Sequence, residues 1–255
     1  MSTIVQHGLA ADTAILHSAQ TLNHTLRDAS PAHVIETALR TVGREQLALV
    51  SSFGTESAAL LKVMADVDPA IPVIFLDTGW LFEETLAYRD TLITALGLRD
   101  VRSIKPLEEA LSRQDPDREL WFSDPDACCR IRKVEPLARA LKPFSAWING
   151  RKRFQGGARA EIPVVEDDGA KLKFNPFANV SREEIEAIYK LAKLTPHPQS
   201  RAAGARAKAV LGLDQRTQAF SGRRPRRHSR RRAGRCQAEI QSVRQFLARR
   251  DRGDL

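Results

Sequence analysis

Two adjacent thiols, Cys128 and Cys129, are followed at once by Arg130, Arg132 and Lys133. The thiolate is the metal-binding form of cysteine, and neighbouring cations favour it. The pair therefore reads as two ligands of an iron–sulfur cluster. The plainer reading is two unrelated thiols, one buried and one idle, since a disulfide between neighbours is strained. A cluster takes four thiolates, and Cys236 is the one other cysteine, so the set is at least one ligand short.

A second chemical feature lies upstream. Leu47-Ala48-Leu49-Val50 runs into Ser51-Ser52-Phe53-Gly54-Thr55-Glu56-Ser57, and an apolar, helix-favouring run follows. That pattern predicts a buried parallel strand, a tight turn and a helix whose first turn holds Gly54, Thr55 and Ser57. Hydroxyls and backbone N–H groups at the positive end of a helix dipole suit a phosphate or sulfate. No Gly-Lys-Ser/Thr ends the loop, so it is not a Walker loop. A single glycine is too few for the dinucleotide fingerprint.

The elements that must position these residues alternate along the chain. Ser30-Pro31 opens a helix. Pro72–Leu76 is an all-apolar strand ending in Asp77-Thr78-Gly79, and Phe82–Leu96 is helical. Val101–Ile104 is a short strand, Leu107–Leu111 a helix, and Gln114–Pro125 a polar loop bearing Trp121 and Phe122. Ala146–Gly150 is a strand with Arg151, Lys152 and Arg153 directly behind it. Leu172–Pro176 is a last strand candidate, and Ser181–Glu184 is a capping box opening a helix to about Leu194. Alternation of this kind predicts an α/β fold with a doubly wound, mostly parallel sheet. The anion loop, Asp77-Thr78-Gly79 and the cations 151–153 then share the carboxyl edge, where a nucleotide with a bound oxyanion fits.

The 255 residues carry a net charge of +9, but unevenly. Fifteen Arg and one Lys stand against four acids in 199–255, a net of +12, which leaves −3 for 1–198. A division follows: 1–198 as a nucleotide-binding domain and 199–255 as an Arg-rich tail with few apolar residues to bury. No apolar run reaches the ~20 residues of a membrane helix. The start lacks the features of a signal peptide, and three cysteines make no secreted framework. A cytoplasmic protein without a membrane partner is expected, and a homo-oligomer is compatible with the sequence.

Four stretches together resemble the assimilatory adenylyl-sulfate reductases, relatives of phosphoadenylyl-sulfate reductase with an adenine-nucleotide α-hydrolase-like fold. They are Ser51–Ser57, Leu76–Gly79, Cys128–Leu137 and Gly150–Gln155, in order and correctly spaced between about Leu47 and Pro198. The double cysteine resembles the branch that carries a 4Fe-4S cluster and uses adenylyl sulfate, whereas the cluster-free branch uses the 3′-phosphorylated substrate. The resemblance implies that Ser51, Ser52, Gly54, Thr55, Glu56, Ser57, Asp77 and Thr78 hold adenylyl sulfate. It places Arg153 near the phosphosulfate, Lys133 between substrate and cluster, and Cys128 and Cys129 on the cluster. It implies reduction to sulfite and AMP for cysteine biosynthesis, through a C-terminal cysteine nucleophile and thioredoxin or glutaredoxin as donor.

The pattern breaks after Pro198. The family continues with Gly-Cys-x-x-Cys and later a Glu-Cys-Gly motif, and residues 199–255 carry neither. Their Arg/Ala/Gly enrichment is what a GC-rich gene yields when read out of frame. Cys236, in Gly234-Arg235-Cys236-Gln237, is the remaining candidate nucleophile, with Arg235 favouring thiolate. Two rival readings are a phosphoadenylyl-sulfate reductase and a nucleic-acid binder acting through the tail, the latter disfavoured because the basicity is confined there. An ATP-splitting relative would carry Ser-Gly-Gly-x-Asp-Ser, from which Phe53 and Glu56 depart.

Overall fold

The computed structural model describes residues 18–169 and 171–194. The Arg-rich segment and Cys236 lie outside the described residues. Six strands form one sheet in the order β3-β2-β1-β4-β6-β5. These are β1 (Leu47–Ser51), β2 (Val73–Leu76), β3 (Val101–Ile104), β4 (Ala146–Ile148), β5 (Val165–Asp167) and β6 (Leu172–Phe174). All neighbours pair in parallel except β5 with β6.

The central strands β1, β2 and β4 are apolar on both faces because both faces are covered. Leu47 and Leu49 of β1 join Val73, Phe75, Ile148 and Phe174 in the larger core. Against it pack α2 (Pro31–Val42), α3 (Thr55–Val67), α4 (Glu83–Leu96) and α9 (Arg182–Leu191). Ala48, Ile74 and Trp147 face the other way, toward Leu137 and Leu141 of α8 (Glu135–Leu141). The chain thus winds to both sides of β1, and the crevice between β1 and β4 is the switch point where such sheets bind ligands.

Local signals set the helix starts. Ser30 caps α2 through a bond from the His33 N–H, with Pro31 at the first helical position. Ser181 and Glu184 form the capping box of α9. Before α2, residues 18–25 form a helix, α1, from which Asn23 accepts the N–H groups of Val164 and Val165.

Several elements differ from the sequence expectations. Gly54 is the N-cap of α3 rather than part of its first turn. The expected loop 114–125 contains a short helix, α6 (Leu120–Ser123), whose first N–H is taken by the Asp115 carboxylate. It follows α5 (Glu108–Gln114). α9 ends at Leu191, because Lys193 turns left-handed at φ 51° and the Leu194 N–H folds back to Tyr189. The antiparallel edge strand β5 was not foreseen, since Val165-Glu166-Asp167 is short and two of its three residues are acidic. Among the described residues no helix is long and apolar enough to cross a membrane.

Glu166 explains why an acid belongs in that strand. Its Oε1 lies 2.9 Å from Lys173 Nζ, 2.7 Å from Arg151 and 3.1 Å from Asn175. Burial pushes its carboxyl up, but Lys173, the Asn175 bond and Arg151 outweigh that and hold it below its ordinary range. Lys173 is only 3% exposed, so Glu166→Gln leaves a buried cation uncompensated and should cost about 3–5 kcal/mol at neutral pH. A depressed carboxylate stabilises above its unfolded pKa and loses that contribution as pH falls through the folded one. Denaturant titrations should therefore show the gap between Glu166→Gln and the parent narrowing on acidification below pH ~4.

Candidate functional site

The Ser51–Ser57 turn is built around a buried phenylalanine. Phe53 adopts φ 53°, a left-handed conformation costly for a bulky residue. It is fully buried, edge-on to Phe75 at 5.4 Å, and its N–H is held by Ser51 Oγ. Packing holds the strained turn, and the turn aims the next residues into the crevice. Ser52 and Ser57 meet at 3.1 Å through their hydroxyls. Gly54 brings no side chain to cap α3, so that helix start faces the crevice as an anion site.

The crevice opens into a cleft of about 1790 Å³. Ser51, Ser52, Gly54, Thr55, Glu56 and Ser57 line it, with Thr78 from the end of β2 and Lys133 from the cysteine helix. Asn149, Gly150, Arg151, Lys152, Gln155 and Arg159 supply the β4 side, and Lys173 the floor beside Trp147. Glu56 crosses to Lys152 Nζ at 2.9 Å and to Gln155 at 3.2 Å, while Lys152 also donates to the Gly150 carbonyl. Burial pulls Lys152 below its ordinary pKa against the opposing pull of Glu56. Arg159 is lowered as well, by burial and then by Arg151. The mildly acidic body thus concentrates positive charge in one place, which suits a polyanionic ligand.

Cys128 and Cys129 sit at the end of α7 (Pro125–Cys129), which Asp124 caps. The helix then widens into a π segment, Arg130–Val134, before α8. Pro136 is the cause: it has no N–H for the Arg132 carbonyl and its ring would collide with it. The Glu135 N–H reaches back to Arg130 instead, five residues away. Both cysteines are buried; the Cys129 sulfur is engaged in a disulfide, and Cys128 is the free thiol of the pair. Burial pushes the Cys128 thiol up, and the neighbouring Arg132 guanidinium pulls it the other way. Arg132 is itself buried against Asp115 at 2.6 Å and donates to the Thr78 carbonyl at 3.0 Å.

Residues 46–202 match the model of the phosphoadenosine phosphosulfate reductase domain. The chain belongs to this family. Among curated relatives, adenosine 5′-phosphosulfate reductase of Mesorhizobium japonicum is 48% identical over 169 residues, covering 66% of each chain. Adenosine 5′-phosphosulfate reductase of Chelativorans sp. is 47% identical, over 60% of this chain and 62% of the relative. Phosphoadenosine 5′-phosphosulfate reductase of Gloeobacter violaceus is 38% identical, over 66% of this chain and 71% of the relative. The chain therefore matches just under two thirds of the first two relatives' length. A crystal structure of phosphoadenylyl-sulfate reductase from Candida auris, in complex with phosphate, superposes with a TM-score of 0.62 at 25% identity. It covers 72% of this chain and 90% of that one. The sheet is the adenine-nucleotide α-hydrolase-like fold of this reductase family.

Within the family fold, the expected site residues divide into two groups. Ser51, Ser52, Gly54, Thr55, Glu56, Ser57, Thr78 and Lys133 come together at the cleft. Asp77 and Arg153 stand apart from its lining. Asp77 accepts the Gly79 N–H and has Lys105 at 3.9 Å; Arg153 Nε donates to the Ile162 carbonyl. Of the three cations after β4 it is Arg151 and Lys152 that face the cleft. Arg159 and Lys173 were not foreseen. Arg159 follows Gly156-Gly157, both at positive φ, and that glycine pair was the available signal for a tight return to the site. Truncating Phe53 to Ala should cost about 3–5 kcal/mol. Thermal unfolding reads that loss, and phosphate affinity should fall with it as the loop relaxes.

Proposed function

We propose that the body, residues 1–198, binds adenylyl sulfate and that the protein's reaction is its reduction to sulfite and AMP in cytoplasmic sulfate assimilation. The observation that carries the reading is the double cysteine on a helix whose next turn delivers Lys133 into a cationic nucleotide cleft. The names of the two adenosine 5′-phosphosulfate reductase relatives support that substrate. In this reading Ser51, Ser52, Gly54, Thr55 and Ser57 receive phosphate, and Thr78 with its neighbours receives the nucleoside. Asp77 sets the turn there. Lys133, Arg151 and Lys152 balance the phosphosulfate, with Arg153 supporting the loop behind them.

The reaction needs a thiolate nucleophile. It attacks the sulfur, the bond to the AMP phosphate breaks, and AMP leaves. A thioredoxin- or glutaredoxin-type dithiol then releases sulfite and is oxidised to its disulfide. Cys236 is the candidate nucleophile within this chain. The cleft cations stabilise the leaving phosphate.

Cys128 and Cys129 are the kind of donors a 4Fe-4S cluster takes, with Cys129 available to it once its disulfide is reduced. The pair is buried, and beside it the Arg132 Nε is buried without an acceptor among the described residues, as an anionic sulfur centre would require. No third His, Cys, Asp or Glu joins the pair among the described residues. When bound, the cluster shapes the electrostatics of the site.

The tail lacks the family's later cysteines, so we expect this chain to bind adenylyl sulfate with substoichiometric iron and no sulfite formation. Anaerobic purification, iron and sulfide analysis, calorimetry and a thioredoxin-coupled sulfite assay read these together. Restoring the reading frame after Pro198 should restore iron and turnover. Stoichiometric iron with turnover in the present chain would overturn the frame-shift reading. Absence of adenylyl-sulfate binding would overturn the substrate. The Gloeobacter relative's name favours the 3′-phosphorylated substrate as second reading, and the same calorimetry with that compound ranks the two.

A further inference from the structure

Arg132 lies one turn after Cys128, and its guanidinium is tied in three directions. One amino group meets Asp115 Oδ2 at 2.6 Å, the other donates to the Thr78 carbonyl at 3.0 Å, and the Trp80 ring stacks on it at 4.9 Å. Side-chain exposure is 4% for Arg132 and 1% for Asp115. Asp115 is in turn fixed by its second oxygen, which accepts the Leu120 N–H at 2.9 Å where α6 begins. Gly79 shapes the turn through its φ of +74°, a conformation that strains residues with a side chain. A single buried carboxylate therefore sets the orientation of the group that joins the cysteine helix to the end of β2. Without that charge the guanidinium is buried and uncompensated, and its hold on the Thr78 carbonyl is the contact free to break.

We propose that Asp115 is a positioning residue that, through Arg132, locks the Asp77–Gly79 turn to the cysteine helix, so that nucleotide binding and the cysteine pair are mechanically coupled. The inference rests on the nucleotide reading of the cleft given above. Asp115 does not line the cleft, and its charge and that of Arg132 both reach Cys128. Its effect on the turn passes through the hydrogen bond between Arg132 and Thr78, a charge-assisted contact in a dry setting.

AMP binding to the full chain, followed by calorimetry and by hydrogen–deuterium exchange, tests it. In the parent, AMP should slow amide exchange in the 77–80 turn and also in 125–134. Asp115→Asn turns an amide donor toward the guanidinium, so AMP affinity should fall about tenfold. At saturating AMP the 77–80 turn should still be protected, while the added protection of 125–134 disappears. A merely structural role would alter exchange without ligand and leave the AMP-induced change in place. That outcome, or an unchanged affinity, overturns the proposal. Should Asp115→Asn fail to fold, Trp80→Leu, at a half-exposed position, removes the stacked ring. It should weaken the same coupling, and full coupling there overturns the proposal. A parent chain that binds no AMP removes the nucleotide reading itself, which is a distinct result.

Discussion

Gathering positive charge at the end of a buried sheet is the constraint on which this site depends. Lys152 and Lys173 each have side chains less than 5% exposed, and neither would remain charged in an apolar interior alone. Each is matched by a carboxylate: Glu56 from the anion turn for Lys152, Glu166 from the edge strand for Lys173. Glu56 reaches across the cleft and so ties its walls together, while Glu166 is the cross-strand neighbour of Lys173 and ties β5 to β6. A ligand bringing negative charge enters a frame already balanced by carboxylates, and its gain over them is set by its number of charges rather than by any single contact.

The cysteine segment meets a similar problem by a different route. Arg132 is buried beside the two cysteines and is matched by Asp115, a residue in no recognisable motif. Of the three matched pairs, only Lys152–Glu56 joins residues that both stand in recognisable motifs. Arg132 stands in one and its acid does not, and neither Lys173 nor Glu166 does. That is why a chain reading finds the cation turn and the anion loop and misses Asp115, Lys173 and Glu166.

Legibility followed the same line. The buried strands declared themselves as unbroken apolar runs, because each faces a core on both sides, and the parallel winding followed from their alternation with helices. The anion turn was readable from Ser51 to Ser57 for the same reason: local chemistry fixes it. Arg153 shows the limit. Three consecutive cations after a strand look equivalent, yet the turn after β4 sends Arg151 and Lys152 inward while Arg153 binds a backbone carbonyl. Which of three neighbours points into a cleft is decided by backbone dihedrals that sequence pattern does not carry. The edge strand β5 escaped notice because its acids serve charge balance rather than a core. The short helix at Leu120 escaped because its cap, Asp115, precedes it by five residues.

Pro136 gives the cysteine helix an unusual mechanical property. In a regular helix successive residues are rotated by about 100°, so closing the wide turn by one residue would swing everything on one side of it through roughly that angle. The proline thus acts as a phase shifter along a single rod. It sets the phase between the buried cysteines before the wide turn and Leu137 and Leu141 after it, which pack on the sheet. Two packing demands are met from one element, and the angle between them is stored in the absence of a single hydrogen-bond donor.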